Sequence, residues 1–581
     1  MKTTDQLAPI RHTLAHLLAQ AAMQKYPHAV LTLGPAIDNG FYYDIDFGAD
    51  KVTDEDLKDI QKAMRKNLNS WTEFTHKELS KEEALAQFAG NVYKTELINE
   101  IAERGEKITV YTCGGFTDLC RGGHAEHPNK EIPSDSFVLD RVAGAYWRGD
   151  EKNKMLTRIY GLAFESKADL DAYILQQEEA KKRDHRKLGK ELGLFIFSDL
   201  VGPGLPLWTP KGTIIRELLN DYVWELRRKK GYQKVCIPHI TKKELYETSG
   251  HWAKYADDLF KITTREDHLY AMKPMNCPHH TQIFDSEQRS YRDMPQRYAE
   301  TTMVYRDEQS GELSGLSRVL SITQDDAHVF CRENQIEEEA LAIWDIIETF
   351  YGTFGFNLQV RFSRHDPSTP EKYLGGSETW AKAEGALENL MKNRGAEWID
   401  GMGEAAFYGP KIDFMAKDAI GRTHQVATIQ LDFNQPKNFG LVCTNEKGEK
   451  EQIVMIHAAI MGSIERFMAN LIEHLSGQFP TWLNPVQVAI IPVRDIHIDE
   501  TKKIAGALKQ HDIRIEHLDY DDSLGKRIHA AKKMNAPYTI VVGDKEKESG
   551  LLTIEKRDGT KIQMTLEDFI LEISKQIKNR L

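Results

Sequence analysis

Positive charge is in short supply: 76 Lys and Arg stand against 88 Asp and Glu, a formal net charge of −12 over 581 residues. Such a chain has no general attraction for polyanions, so a nucleic-acid partner has to be held by local basic surface. Cysteine is scarce too. Six scattered cysteines make no disulfide framework, which points to a reducing, cytoplasmic setting. Every apolar run falls far short of the roughly 20 residues a membrane span requires, so no membrane association is expected. The opening MKTTDQLAPIRHTLAHLL lacks the basic start, continuous apolar stretch and small-residue cleavage site of a secretory signal. No internal repeat, low-complexity segment or phosphate-binding loop of the form GxxxxGK[ST] occurs.

What is present is a globular composition, 41% hydrophobic and 28% charged, long enough for three or four domains. The chain divides into four parts. Residues 1–163 mix helical and strand patterns, and residues 164–191 read as one charged helix. Residues 192–480 form a large region rich in aromatics and β-branched runs. Residues 481–581 alternate strand and helix. In that last part VQVAIIPV, IRIEHLD and YTIVVGD, with helical stretches between them, predict a small α/β unit with parallel strands. The KKRDHRKLGK end of the charged helix is either a phosphate-contacting patch or a solvated linker face.

Chemistry concentrates in TTMVYRDEQSGELSGLSRVLSITQDDAHVF, residues 301–330. Arg306 and Arg318 flank a Gly-containing turn with Glu308 and Glu312, and guanidinium forks match phosphate and carboxylate oxygens. Gln324, Asp325, Asp326 and His328 follow, suited to a substrate with amine or hydroxyl donors, or to a metal. A hairpin with a solvated salt-bridge face reads equally well. Elsewhere His12 and His16 stand four apart, one face of a helix. Cys120 and His124 are also four apart. Together they have the look of a tetrahedral zinc site, or of two unrelated pairs. Cys277, His328 and His457 are so far apart that spacing lends no support to a shared site, and a lone Cys or His is more often core than ligand.

The ordered set KPMNCP, YRDEQSGELSGL, TQDDAH, FYGPKID and GSIER resembles the threonyl-tRNA synthetase family of class II aminoacyl-tRNA synthetases. The match runs from about His12 to the C-terminus. HTLAH, NGFYYD, DLCRGGH and AGAYWRGD are similar to that family's editing domain, and FPTWLNPVQV and VVGDKEKESG to its anticodon-binding domain. The HIGH and KMSKS signatures of class I synthetases are missing. The resemblance implies a multidomain α+β and α/β protein: a class II antiparallel-sheet catalytic core over 192–480, an α+β editing domain over 1–163, a linker helix over 164–191 and an α/β anticodon-binding domain over 481–581. It implies a cytoplasmic homodimer, with Pro238 in VCIPHI at the dimer interface. Family members usually carry a small ubiquitin-like domain ahead of the editing domain, and His12 leaves no room for it.

The implied reaction joins L-threonine to ATP as threonyl-adenylate, with Mg2+, then moves threonine to the terminal ribose of tRNA(Thr). Arg306 then grips the α-phosphate and carboxylate, Glu308 the adenine amine, and Arg318 and Arg466 the outer phosphates. Lys411 joins this catalytic set, and His251 matches a histidine assisting transfer. Met275, Gln324, Asp326, Tyr408, Gln430 and Ser463 match substrate-binding positions. Cys277, His328 and His457 match three ligands of one zinc per chain, its open position taken by the amine and hydroxyl of threonine while Asp326 accepts from the hydroxyl. Valine lacks that hydroxyl and is rejected strongly. Serine lacks only a methyl, worth roughly 1–3 kcal/mol, so a second, hydrolytic site is needed. His12, His16, Cys120 and His124 match it, with Tyr43, Lys94 and Asp118 as helpers. In the family this pocket works through positioned water without zinc, which replaces the metal reading drawn from spacing.

Three departures sit beside named residues: CRGGH has Gly123 where the family has proline, NCPHH has His279 for glycine, and RVLSITQDDAH has Leu320 for arginine. In the anticodon domain Glu546 matches a retained contact. Glu555 stands where the family reads the middle anticodon base with arginine, a loss unless Arg557 or Lys556 compensates. A seryl or prolyl sister enzyme would lack the Cys/His trio and Asp326. A non-enzymatic paralogue would be expected to have lost ATP or metal residues.

Overall fold

The structure is a computed structural model that describes residues 4–519 and 521–581. It separates into two compact units, Met1–Glu179 and Ala180–Leu581. The first is built on helix α1 (Thr4–Lys25), whose Leu14, Leu17, Leu18 and Ala21 recur at helical spacing and are fully buried. That stripe packs with Phe41, Tyr43 and Ile45 of strand β1 (Gly40–Asp46). Alternation along β1 turns these three inward and leaves Tyr42 on the opposite face. Helix α2 (Leu57–Leu68) buries Leu57, Ile60, Met64 and Leu68 in the same core. Each such side chain contributes about 1.5–3 kcal/mol by leaving water.

A separate three-stranded antiparallel sheet follows: β2 (Thr75–Leu79), β3 (Ile108–Cys113) and β4 (Phe116–Leu119). Helix α3 (Val92–Glu103), capped by Asn91 accepting from Lys94 N, lies between β2 and β3 in sequence. Strands β5 (Phe137–Tyr146) and β6 (Met155–Ala163) extend the β1 sheet in the order β1-β6-β5. This is the α+β arrangement expected of residues 1–163.

The single charged helix expected over 164–191 is instead two, α4 (Lys167–Arg183) and α5 (His185–Glu191). Asp184 interrupts them with φ −49° and ψ 120°, and its side chain accepts from Arg186 N as the N-cap of α5. The charge pattern was continuous across an Asp that the chain uses as a cap.

In the second unit helix α6 (Pro210–Lys229) precedes an eight-stranded sheet. Its strands are β7 (Gln233–Lys234), β8 (Gln296–Tyr305), β9 (Ser321–Cys331), β10 (Asn357–Arg364), β11 (Trp398–Met402), β12 (Lys411–Lys417), β13 (Thr423–Asp432) and β14 (Val454–Ala459). The spatial order is β7-β8-β9-β14-β13-β12-β10-β11. All pairs are antiparallel except β7/β8 and β10/β11 at the edges. Helix α7 (Ile336–Thr353) and helix α8 (Ile464–His474) pack their apolar faces in the core of this sheet.

The C-terminal sheet runs β16-β15-β17-β18-β19, from β15 (Val488–Pro492), β16 (Ile515–His517), β17 (Tyr538–Val542), β18 (Leu552–Lys556) and β19 (Lys561–Met564). The first three are parallel, as expected. The hairpin β18/β19 adds two antiparallel strands, so the sheet is mixed. Among the described residues no helix is long and apolar enough to cross a membrane.

Candidate functional site

Sheet register assembles the first constellation. His328 on β9 lies directly across from His457 on β14, and His457 across from Gln430 on β13. Directly paired residues share a face, so the three side chains stand in a row. Cys277 opens the helix Cys277–Asp285 and brings its sulfur to that row. The ligand atoms of Cys277, His328 and His457 all lie within 4.8 Å of one another, and all three residues are buried. His328 Nε2 is 3.1 Å from His457 Nδ1, while His457 Nε2 is 3.0 Å from Asp432 Oδ2. His328 Nδ1 is 2.7 Å from His280 Nδ1.

The environment favours neutral donors. Burial, then the neighbouring His280 and His457, holds His328 well below the usual imidazole range. Burial pushes the Cys277 thiol well up. Asp326, which accepts from Asn276 Nδ2 at 3.0 Å, is pushed up to about 6, chiefly by burial. Tyr408 stacks on His457 with centroids 4.7 Å apart and donates to Gln430 Oε1. His251 is fully buried beside the cluster. Its Nδ1 is 2.8 Å from Ser249 Oγ and its Nε2 is 3.2 Å from Met275 Sδ and 3.7 Å from Cys277 Sγ.

A cavity of about 400 Å³ adjoins these residues and is lined by Met275, Gln324, Tyr408, Lys411, Gln430 and Ser463 together with Arg306, Glu308, Arg318 and Arg466. Gly409 lets FYGPKID turn tightly into it, since a Cβ there would lie 1.9 Å from the Leu431 carbonyl oxygen. Ser463 caps α8 by accepting from Arg466 N at 3.2 Å. Arg466 Nε donates to Ser317 O at 3.1 Å. Burial, then repulsion from Arg306 and Arg318, lowers its pKa. Arg306 Nε is buried without a partner, and its guanidinium lies 5.6 Å from the Tyr255 ring centroid. Arg318 pairs with Glu308 at 2.7 Å and Glu312 at 3.2 Å. The salt-bridge reading of this segment thus holds for Arg318, while Arg306 and Arg466 line the cavity with no ion-pair partner among the described residues. Lys411 Nζ is 3.0 Å from Asp413 Oδ2, itself fully buried among Arg361, Ser363, Gln425 and Thr428.

Sequence reasoning missed Asp432, His280, Asn276 and Asp413. Asp432 and Asp413 each lie two residues along a strand from a named residue, Gln430 and Lys411. Period-two alternation puts them on the same face and was the available signal.

The second constellation lies in the first unit. His12 and His16 sit one turn apart on α1, with His16 Nε2 3.2 Å from His12 Nε2. Cys120 Sγ is 3.5 Å from His12 Nε2 and 3.4 Å from His124 Nε2, so the two i,i+4 pairs do meet. The second pair lies on a loop with left-handed Gly122 and Gly123. Ala125 N donating to Thr13 Oγ1 at 3.0 Å ties that loop to α1. Beneath them Asp118 on β4 receives Lys94 Nζ at 2.6 Å, Tyr43 Oη at 2.5 Å and His16 Nδ1 at 3.2 Å. Burial opposes the charged form of His16, but hydrogen bonds to Asp118 and Cys120 hold its pKa up at about 9. Burial likewise disfavours the Cys120 thiolate, and hydrogen bonds from His12, His124 and His16 outweigh it, bringing it down to about 3. A cavity of about 340 Å³ opens on this group.

The class II tRNA synthetase core domain for glycine, histidine, proline, serine and threonine matches residues 260–475. The anticodon-binding domain matches 487–576, and the second additional domain of threonyl and alanyl tRNA synthetases matches 108–160. The threonine–tRNA ligase of Flavobacterium johnsoniae is 45% identical over 577 residues, 98% of this chain and 88% of its own. The chain belongs to the threonine–tRNA ligase family. The family's Thermotoga petrophila member is 46% identical over 573 residues, again 98% and 88% of the two chains. A crystal structure of the RNA-binding domain of threonyl-tRNA synthetase from Cryptosporidium parvum superposes with a TM-score of 0.65 at 34% identity, covering 68% of this chain and 98% of that one. A putative threonyl-tRNA synthetase from Aeropyrum pernix gives 0.60 at 26%, covering 68% and 97%. The class II core supports aminoacylation and the second additional domain supports editing.

The departures from the family's motifs now have physical content. Gly123 adopts φ +84°, which proline, fixed near −65°, cannot. The turn is therefore one that the family's proline could not form. His279 is buried with both ring nitrogens unpartnered, 6.2 Å from the Tyr246 ring, and burial pushes it down to about 4. Leu320 packs on the Gly204 turn, its amide donating to Gly204 O at 2.9 Å. In the anticodon domain Glu546 accepts from Thr553 Oγ1 at 2.7 Å and Gly543 N at 3.0 Å. Glu555 lies 3.6 Å from Lys532 and 3.7 Å from Lys561. Of the two residues that could compensate, Arg557 is half-buried and its Nη2 donates to Phe479 O at 2.8 Å.

Proposed function

We propose that this chain activates L-threonine with ATP and Mg2+, transfers it to tRNA(Thr), and hydrolyses mischarged seryl-tRNA(Thr) in its first unit. The observation that carries the reading is the cavity where Arg306 and Arg466 converge, one with an unpartnered buried nitrogen and the other with its pKa lowered partly by like charge. Two unpaired guanidinium groups in one cavity call for a polyanion, and attack of a carboxylate on an α-phosphate is accelerated by positioning and charge neutralisation. In this reading Arg306 holds the α-phosphate and carboxylate, Arg318 and Arg466 the outer phosphates, and Glu308 the adenine amine. Lys411, set by Asp413, supports the same cavity.

Cys277, His328 and His457 would hold one zinc. The donor set fits. Tetrahedral bonds of about 2.0–2.1 Å separate two ligand nitrogens by roughly 3.3 Å, close to the observed His328–His457 contact. The Asp432 contact on the far side of His457 is the usual outer partner of a metal-bound imidazole. Held by these three residues, zinc would supply Lewis acidity toward an amino acid bearing both amine and hydroxyl. Asp326 accepts from that hydroxyl, Tyr408 and Gln430 bound the pocket, and Met275, Gln324 and Ser463 complete its wall. His251 assists transfer to the ribose. In the first unit His12, His16, Cys120 and His124 position water on the serine ester, steadied by Tyr43, Lys94 and Asp118. Editing, linker, catalytic and anticodon segments fall at 1–163, 164–191, 192–480 and 481–581. The chain acts as a cytoplasmic homodimer.

Threonine-dependent ATP–pyrophosphate exchange, run across serine, valine, proline and alanine, tests the reading. Exchange strongest with threonine is expected, weak with serine and negligible with valine. Exchange driven best by another amino acid overturns it.

A further inference from the structure

His185 is the first residue of α5 and is buried. Its Nε2 accepts the backbone N–H of Leu316 at 3.1 Å, so that nitrogen carries no proton. Its Nδ1 must then hold the proton, and it donates to Glu473 Oε1 at 2.6 Å. The same carboxylate oxygen accepts the His185 amide at 3.1 Å, and its other oxygen accepts from Arg422. The imidazole is thus fixed in one neutral tautomer between two elements. Leu316 and Gly315 belong to the loop that carries Glu308, Glu312 and Arg318. Glu473 lies in the last turns of α8, the helix that carries Arg466. The loop is seated on the ring itself: a Cβ on Gly315 would stand 2.3 Å from His185 Nε2 and 2.8 Å from Arg186 Cγ. Next to it, Ser317 O takes the bond from Arg466 Nε. Adjacent residues of the loop are therefore tied to the same helix twice, once directly through Arg466 and once through Glu473 and His185.

We propose that His185 is a positioning residue for nucleotide, holding the loop of Arg318 against the helix of Arg466 so that their guanidinium groups meet the phosphates at a fixed separation. The inference rests on the phosphate roles given to Arg318 and Arg466 above. An imidazole suits the post because its two nitrogens, on opposite sides of a rigid ring, serve an acceptor's and a donor's need at once.

The test is threonine-dependent ATP–pyrophosphate exchange on the full chain with His185→Asn, His185→Gln, Gly315→Ala and Arg466→Ala, with KM measured for ATP and for threonine. Asparagine keeps a donor near the Nδ1 position and leaves Leu316 N–H unmet. Glutamine carries an oxygen to the Nε2 position and restores that acceptor. Loss of one buried acceptor predicts an ATP KM raised about tenfold in His185→Asn, and less in His185→Gln. The threonine KM should stay within about twofold in both, as no contact to the Cys/His trio is lost. Gly315→Ala pushes the same loop off the ring without altering His185 and should repeat the ATP-selective rise. An unchanged ATP KM in His185→Asn and Gly315→Ala, or an equal rise for threonine, overturns the proposal. If Arg466→Ala also leaves the ATP KM unchanged, the phosphate reading itself falls. If Arg466→Ala raises it while the His185 variants do not, only the positioning role falls.

Discussion

Two clusters built from the same residue types behave in opposite ways. In the first unit Cys120 is drawn down to about 3 and His16 up to about 9. In the second Cys277 is pushed up and His328 down. The second cluster is buried throughout, while in the first only His16 is buried and His12, Cys120 and His124 are half-buried; burial opposes charge in each. The difference is the company. Asp118 and Lys94 supply the first cluster with a matched ion pair, and its thiolate and imidazolium then neutralise one another. The second has imidazoles facing imidazoles, His280 to His328 to His457; of its close carboxylates Asp432 lies behind the far nitrogen of His457, and Asp326, 3.8 Å from His328 Nε2, is itself pushed up to about 6 by burial. A cluster that balances its own charge is ready to act on water. A cluster whose imidazoles are kept unprotonated is open to a cation, whose binding would release the proton of the Cys277 thiol. Under the proposed roles, residue type therefore does not decide between hydrolytic site and metal site; the neighbouring residues do.

The largest expected effect strikes the donor cluster. Cys277→Ala should remove bound zinc and lower threonine-dependent exchange by about 100-fold or more, because a Lewis-acid site contributes several kcal/mol. Metal analysis alongside the exchange assay checks it, and full activity in metal-free protein would erase the contrast. Next come His12→Ala and Cys120→Ala, which should cut seryl-tRNA hydrolysis about 100-fold or more while threonine charging stays near wild type. Deacylation of preformed seryl-tRNA separates the two outcomes, and a matching loss of charging would mean the clusters are not independent.

A third prediction sharpens the electrostatics. Cys120 stays anionic as pH falls until about 3, so it should still be alkylated by iodoacetamide at pH 5. An ordinary thiol of pKa about 8.5 is there on the order of 0.03% ionised. Cys113, pushed up to about 11 by burial, should be silent. Peptide mapping after labelling decides it. Unlabelled Cys120 at pH 5, with labelling returning near pH 8, would show the thiolate is not held. The smallest effect lies at the anticodon. A guanidinium reading guanine is worth about 1–3 kcal/mol, which Glu555 cannot supply. Changing the middle G of the tRNA should therefore lower kcat/KM about tenfold less here than in a relative with arginine at that position. An equal penalty in the two enzymes would move base reading to another residue.

The Cys and His residues of both clusters, the arginines and the fold class were legible in the sequence, because the motifs that hold them come in a recognisable order. Their orientation was not legible there. His328, His457 and Gln430 share a face through register between three strands far apart in sequence, which no spacing rule reports. Asp432 and Asp413 were hidden for a simpler reason: an acidic residue on a strand is unremarkable until the partner strand is known. The continuous charge of residues 164–191 concealed the break at Asp184, since a capping aspartate and a solvated one look alike in a chain of charges. Glu555 was legible as a departure, but the fixing of Arg557 by Phe479 O was not.

The Arg318–Glu308 pair carries one more consequence. Under the proposed roles, the phosphate-holding cation and the adenine-holding anion are each other's partner. A nucleotide entering the cavity then takes over both halves of the pair: its phosphate becomes the counter-ion of the guanidinium and its neutral exocyclic amine donates to the carboxylate. Pyrophosphate alone would strand Glu308, and adenosine alone would leave Arg318 with only its longer contact to Glu312 at 3.2 Å. The locus therefore rewards the whole nucleotide beyond the sum of its parts, and cooperativity between base and phosphate is written into a single salt bridge.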